Sequence, residues 1–113
     1  MTASDLLARI SAGTAPTILD VRSPAEFIRG HVPGALHIPF WKLLSLAPRI
    51  PISLDDALVV YCEHGPRAWI AGAALRRRGF RRVEYLEGHM SQWRRAGLRE
   101  ETSPGGFRNS WHS

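Results

Sequence analysis

No stretch of the 113-residue sequence approaches the ~18 consecutive apolar residues that a membrane-spanning helix requires. No basic segment followed by an apolar one opens the chain, so a secretory leader is not expected. Cysteine occurs once, at Cys62. One thiol cannot close an internal disulfide, which suits a reducing compartment and makes the cytoplasm the expected location. Internal repeats and low-complexity tracts are missing as well. His31 has no cysteine or aspartate at ligand spacing, so no metal is implied and its expected role is to brace a loop.

The charge balance is uneven. Fifteen lysines and arginines against ten acidic residues leave a net charge of +5, which raises the question of a polyanionic partner. Much of the excess lies in Arg76, Arg77, Arg78, Arg81 and Arg82. That cluster surrounds an expected helix C-terminus, where cations complement the helix dipole. Without interleaved aromatics or a nucleic-acid motif, neither a specific nucleic-acid partner nor a membrane partner is expected.

What is present suffices for a core. Hydrophobic residues make up 44% of the chain and tryptophan occurs four times, which supports one globular domain at this length. That domain is expected over residues 1–98. From Arg99 to Ser113 the chain is charged and Ser-rich, carries Gly105-Gly106 and lacks periodicity, so residues 99–113 are expected to form a flexible tail. Phe107 and Trp111 are its candidates for docking on the domain or on a partner.

Ala57 to Leu75 carries the most informative local pattern. Leu58-Val59-Val60-Tyr61 is a short apolar, β-rich run of the kind found in a strand buried on both faces. Pro66 suits the first turn of a helix, where its missing N–H costs nothing. Ala68, Ala71, Gly72 and Leu75 give that helix a face of small residues for packing on a sheet. The loop between, Cys62-Glu63-His64-Gly65-Pro66-Arg67, puts the cysteine after a strand and before a helix N-terminus. Backbone N–H groups and the helix dipole there favour negative charge, hence the thiolate. Gly65 lets the backbone turn inward, and Arg67 adds a cation at the rim. Free cysteines are also common as inert core residues, so from this stretch alone a reactive and a structural cysteine are equally open.

Around it, helix and strand alternate. Thr2 to Ala12 reads as a helix with Ser4 as N-cap, ended by Gly13. Thr17-Ile18-Leu19 is a short strand, Ala35 to Ile38 a second, and Val83 to Leu86 the last. Ser23-Pro24 opens a helix with Glu26 in its first turn, and Arg22 can pair with Asp20 or with Glu26. Pro33-Gly34 predicts a type II turn. Phe40 to Ile50 should be a helical connector closed by Pro48 and Pro51, with Trp41 a core aromatic or a wall of the pocket mouth. His37 reads as structural. Asp55 and Asp56 diverge to opposite sides of an extended chain, which argues against paired acid–base work. Met90 to Gly97 reads as the closing helix.

Three of these stretches together resemble the rhodanese (sulfurtransferase) family. The strand ending Val59-Val60-Tyr61-Cys62, followed by Gly65 and Arg67 and a helix, is similar to its active-site loop. Asp20-Val21-Arg22 with Glu26-Phe27 looks like its opening signature. Gly30-His31-Val32-Pro33-Gly34-Ala35 with Ile38-Pro39 resembles its Gly-His-Ile-Pro-Gly-Ala box, with valine for isoleucine. A fourth stretch, Leu86-Glu87-Gly88-His89 with Trp93 and Ala96-Gly97, is similar to its closing box, except that His89 replaces a glycine. If that position has positive φ, histidine is tolerated at some cost.

The resemblance covers about residues 1–98. It implies an α/β fold with a central, mostly parallel five-stranded sheet flanked by helices on both faces. Cys62 would then sit at the carboxyl end of a central strand. The implied activity is thiosulfate or persulfide sulfurtransfer without cofactor. Cys62 takes sulfane sulfur from a small donor and passes it to a thiol, cyanide or a protein acceptor. In the loop, the N–H groups of Glu63, His64, Gly65 and Arg67, with Pro66 opening the helix among them, would stabilise the persulfide, and Arg67 would draw in an anionic donor. Asp20, Arg22 and His31 would organise the surrounding loops. Glu63 is expected to oppose thiolate formation and anion approach, with His64 able to offset it. Two alternatives compete: a persulfide carrier or partner-binding rhodanese module without turnover, and a cysteine phosphatase. The phosphatase pattern places five residues between cysteine and arginine, whereas four separate Cys62 from Arg67.

Overall fold

The computed structural model describes residues 1–45 and 52–102. Along them run α1 (Ala3–Ala12), β1 (Thr17–Asp20), α2 (Pro24–Arg29), β2 (Leu36–His37), α3 (Phe40–Ser45), β3 (Ala57–Tyr61), α4 (Pro66–Arg77), β4 (Arg82–Tyr85) and α5 (His89–Arg95). The strands pair in the order β2-β1-β3-β4, every pair parallel. These are the four strands read from the sequence. A fifth, implied by the resemblance, is not among the described residues. The additional pairing there is one antiparallel bridge between His31 and Glu101.

Successive residues of a strand face opposite sides of a sheet, and here both sides are covered. Leu19, Leu58 and Val60 join Ala68, Ala71 and Leu75 of α4 and Leu43 of α3 in one core. Ile18, Val59 and Tyr61 join Leu6 of α1, Phe27 of α2 and Met90 and Trp93 of α5 in the other. Leu58 through Cys62 has no solvent exposure, as the β-rich run led one to expect. The small face of α4 explains its close approach. A Cβ on Gly72 would run into the Tyr85 ring and hydroxyl, so a larger residue there would force Tyr85 to shift.

Local chemistry sets the element boundaries. Thr2, rather than Ser4, caps α1: its extended backbone lets Oγ1 accept the Asp5 N–H at 3.1 Å. Ser23 and Glu26 form a reciprocal capping box at the start of α2. On α3, Leu43 turns inward and Trp41 is 43% exposed, so Trp41 is not the core aromatic expected. The end of the connector, with Pro48 and Pro51, lies outside the described residues.

The stretch expected to begin a flexible tail is held to the domain as far as Glu101. The Trp93 indole N–H donates to the Arg99 carbonyl at 2.9 Å. His31 and Glu101 exchange backbone hydrogen bonds of 2.8 Å each. Residues 103–113, including Phe107 and Trp111, lie outside the described residues. No helix among the described residues is long and apolar enough to cross a membrane.

Candidate active site

The sheet order makes β1 the point from which the chain proceeds to β2 on one side and to β3 on the other. Ligand sites of open α/β sheets form at such a switch, beyond the carboxyl ends of the strands. Asp20 is the last residue of β1 and lies in register with Tyr61, the last of β3. Cys62 follows directly and is fully buried. The Gly65 N–H donates to its Sγ at 3.0 Å. Gly65 has φ 133° and precedes Pro66 at the first turn of the twelve-residue α4. A side chain is strained at that angle, so glycine is what allows the amide to turn back onto the sulfur. Of the loop N–H groups expected to cradle sulfur, this one makes the contact.

The first turn of α5 anchors the same loop from behind. Its Met90 and Ser91 N–H groups donate to the carbonyls of Cys62 and Glu63, each at 3.0 Å. The Cys62 N–H donates in turn to His89 Nδ1 at 3.2 Å. His89 has φ 54°, the one positive φ outside glycine among the described residues. The departure from the closing box is therefore real, and histidine adopts the angle glycine would take freely.

The charged residues pair differently from the expectation. Arg22 is buried against Asp20, its Nη2 donating to Oδ2 at 2.8 Å and its Nε to both carboxylate oxygens at 3.1 Å. It also donates to the Gly30 carbonyl at 2.6 Å and to Glu63 at 3.2 Å. Burial works against the Arg22 cation, but the Asp20 carboxylate outweighs it and the pKa is raised. The pair thus ties the end of β1 to the turn after α2.

Glu26 does not meet Arg22. Its carboxylate takes both Nη groups of Arg67, at 2.7 and 2.9 Å, and that contact, ahead of the Ser23 cap, lowers its pKa to about 2. Arg67 is accordingly bound in a bidentate ion pair and is not a bare cation awaiting an anion, as had been expected. Glu63 is likewise neutralised: Arg94 donates at 2.6 and 3.2 Å, and Arg94 first, then Arg22, hold its pKa below the usual range. The opposition expected from Glu63 is largely cancelled in place.

His31 is buried against α2. Its ring stacks on Phe27 at 3.7 Å and its Nδ1 bonds the Phe27 carbonyl at 2.7 Å. His37 is buried with Nε2 on the Arg22 carbonyl at 2.8 Å, and desolvation lowers its pKa. His64 is solvent-exposed. Sequence reading did not find Arg94; of the two partners it left open for Arg22 the structure has Asp20, and Glu26 meets Arg67 instead. The Ser23-x-x-Glu26 capping box was the available signal that this carboxylate is aimed. Nothing in the spacing signalled Arg94.

Two cavities border the loop. One, of about 440 Å³, is charged and includes Arg22, Glu26, Glu63 and Arg94. The other, of about 410 Å³, is mostly apolar and lies between Gly65, Pro66, Trp69, Tyr85 and His89. Among the described residues no group of three His, Cys, Asp or Glu side chains is placed to hold a metal ion.

The family model of the rhodanese-like domain matches residues 2–96. A sulfurtransferase of Allochromatium vinosum is 36% identical over 84% of this chain and 88% of its own length. An HTH-type transcriptional regulator of Mycobacterium tuberculosis is 39% identical over 87% of this chain. This chain spans 42% of that regulator. The crystal structure of a rhodanese-related protein from Thermoplasma volcanium superposes with a TM-score of 0.75 at 29% identity, over 91% of this chain and 97% of that one.

Proposed function

The chain belongs to the rhodanese-like domain family, and from that premise we propose that it is a sulfurtransferase carrying sulfane sulfur on Cys62. The carrying observation is the Gly65 N–H aimed at Sγ from 3.0 Å at the head of α4. A preset donor and a helix N-terminus both favour negative charge on that sulfur.

In the first step the Cys62 thiolate attacks the outer sulfur of a donor such as thiosulfate. The donor S–S bond breaks, its electron pair leaves with sulfite, and Cys62 holds a persulfide. In the second, an acceptor thiolate or cyanide attacks the outer sulfur. The bond to Sγ breaks and the Cys62 thiolate returns. Neither step needs a cofactor. Cys62 is covered in this structure, so on this reading the loop must move beside Gly65 before a donor or acceptor reaches the sulfur. The apolar groove of Pro66, Trp69 and His89 opens there and is the route for an acceptor thiol. Glu63, His64, Pro66 and Arg67 shape the loop, and Asp20, Arg22 and His31 hold its surroundings. A free thiol of this kind works where it stays reduced, which supports a cytoplasmic setting for this reading.

Phosphatase action fits less well. The six-residue loop is one residue short of that pattern, and Arg67, which would have to clamp a phosphate, is spent on Glu26. The match to part of a longer regulator favours one competing reading, a persulfide carrier or partner-binding module without turnover. Intact mass after incubation with thiosulfate separates them. A reducible gain of one sulfur atom, absent in Cys62→Ser, is expected, followed by multiple turnovers with an added thiol. A persulfide that no thiol or cyanide removes would leave the carrier. No adduct from thiosulfate or glutathione persulfide would overturn the proposal.

A further inference from the structure

We propose that His89 is a positioning residue for the Cys62 loop, and that it acts only as the neutral ring with its proton on Nε2. The inference rests on Cys62 being the nucleophile. The Cys62 amide must donate, so Nδ1 must be the unprotonated nitrogen at the 3.2 Å contact. A proton on Nδ1 would set two donors against each other and release that amide. The opposite edge of the ring covers Gly65: a Cβ there would lie 3.2 Å from Nε2. One side chain therefore touches both the backbone of the nucleophile and the residue whose N–H holds its sulfur. The positive φ of His89 is the cost of aiming the ring this way.

The titratable groups facing the ring are Cys62 and His64 from the loop and Tyr85 from β4. The neighbouring Glu63–Arg94 pair brings no net charge. Desolvation first, and then His64, lower the pKa of His89 below its ordinary 6.5. At neutral pH the ring is in its working form. As pH falls through that lowered pKa, the cation forms and the Cys62 amide is freed.

Wild type, His89→Asn and His89→Gly test this. Asparagine tolerates positive φ and offers an oxygen to the amide, but does not titrate; glycine keeps the angle without an acceptor. Two readouts are followed from neutral to acidic pH: the Cys62 amide resonance by NMR, and the rate of persulfide formation from thiosulfate. In wild type the amide resonance should follow the titration of the His89 ring, and in His89→Asn it should not. The ratio of the His89→Asn rate to the wild-type rate cancels the titration of Cys62 itself. It should rise on acidification by about fivefold, the rate equivalent of one net hydrogen bond. His89→Gly should be slower than His89→Asn throughout. An amide resonance indifferent to His89, or superimposable wild-type and His89→Asn profiles, would overturn the proposal. If thiosulfate gives no persulfide in any variant, the sulfurtransferase reading fails, and the amide titration still decides the role of His89.

Discussion

On one flank of the Cys62 loop, arginine and carboxylate meet at every turn; on the other, a tryptophan stands 70% exposed beside tyrosine, proline and histidine. The charged flank looks at first like a trap for anions. Three of its arginines are nevertheless already paired: Arg22 with Asp20, Arg67 with Glu26 and Arg94 with Glu63, while Arg29, at the same cavity, has its Nε on the Ala25 carbonyl at 3.4 Å. The apolar flank has little charge and keeps its surface open. The difference teaches that the charged side holds the loop's shape, while the apolar side is left for a visitor. A buried cation without a partner would be costly, whereas an exposed indole costs little until something covers it.

Breaking the most buried pair should have the largest effect. Asp20→Ala leaves Arg22 desolvated with only Glu63 and a carbonyl, and should destabilise the domain by about 3–5 kcal/mol. Thermal or denaturant unfolding measures this; a loss under about 1 kcal/mol would show that the pair does not hold the loops.

Glu26→Gln comes next, because its pair is about one quarter exposed. A loss of roughly 0.5–1 kcal/mol is expected, together with a lower KM for thiosulfate as Arg67 is freed. The pH dependence has a definite sign. Glu26 is depressed from 4.5 to about 2 in the folded chain, so its stabilisation is complete above pH 4.5 and fades as pH falls toward 2. In Glu26→Gln that part of the acid unfolding curve should flatten.

On the other flank, Trp69→Ala should leave stability within about 0.5 kcal/mol and the thiosulfate KM unchanged. The KM for an aromatic thiol acceptor should rise by about fivefold as apolar contact is lost. Equal changes for both substrates would erase the distinction between the flanks. The smallest effect is expected of Glu63→Gln: about a twofold lower KM for thiosulfate as Arg94 is unmasked, vanishing at high salt. No change at low salt would show that Arg94 does not reach the donor.

The strand, loop and helix around Cys62 were legible because their signals are local. A β-rich run, a proline at a helix start and a glycine in a six-residue loop each act over a few residues. The four motif stretches likewise pointed to the α/β fold with helices on both sheet faces, and they raised a positive φ at His89 as a condition that the structure meets. The charge network was not legible. Glu26 and Arg67 are 41 residues apart, and Glu63 and Arg94 are 31 apart. Any of several arginines satisfied the pattern equally well on paper.

The sequence by itself singled out Cys62 as the candidate nucleophile, and showed that its loop ends a buried strand and that a helix begins just after it. The tertiary structure alone decided which carboxylate each arginine meets and that a histidine ring holds the cysteine's own amide. The physical reason is geometric. Parallel pairing brings the carboxyl ends of β1, β3 and β4 to one edge of the sheet, and the start of α5 folds back onto them. Ion pairs form between whichever groups that edge brings within a few ångströms, and separation along the chain carries no information about that distance.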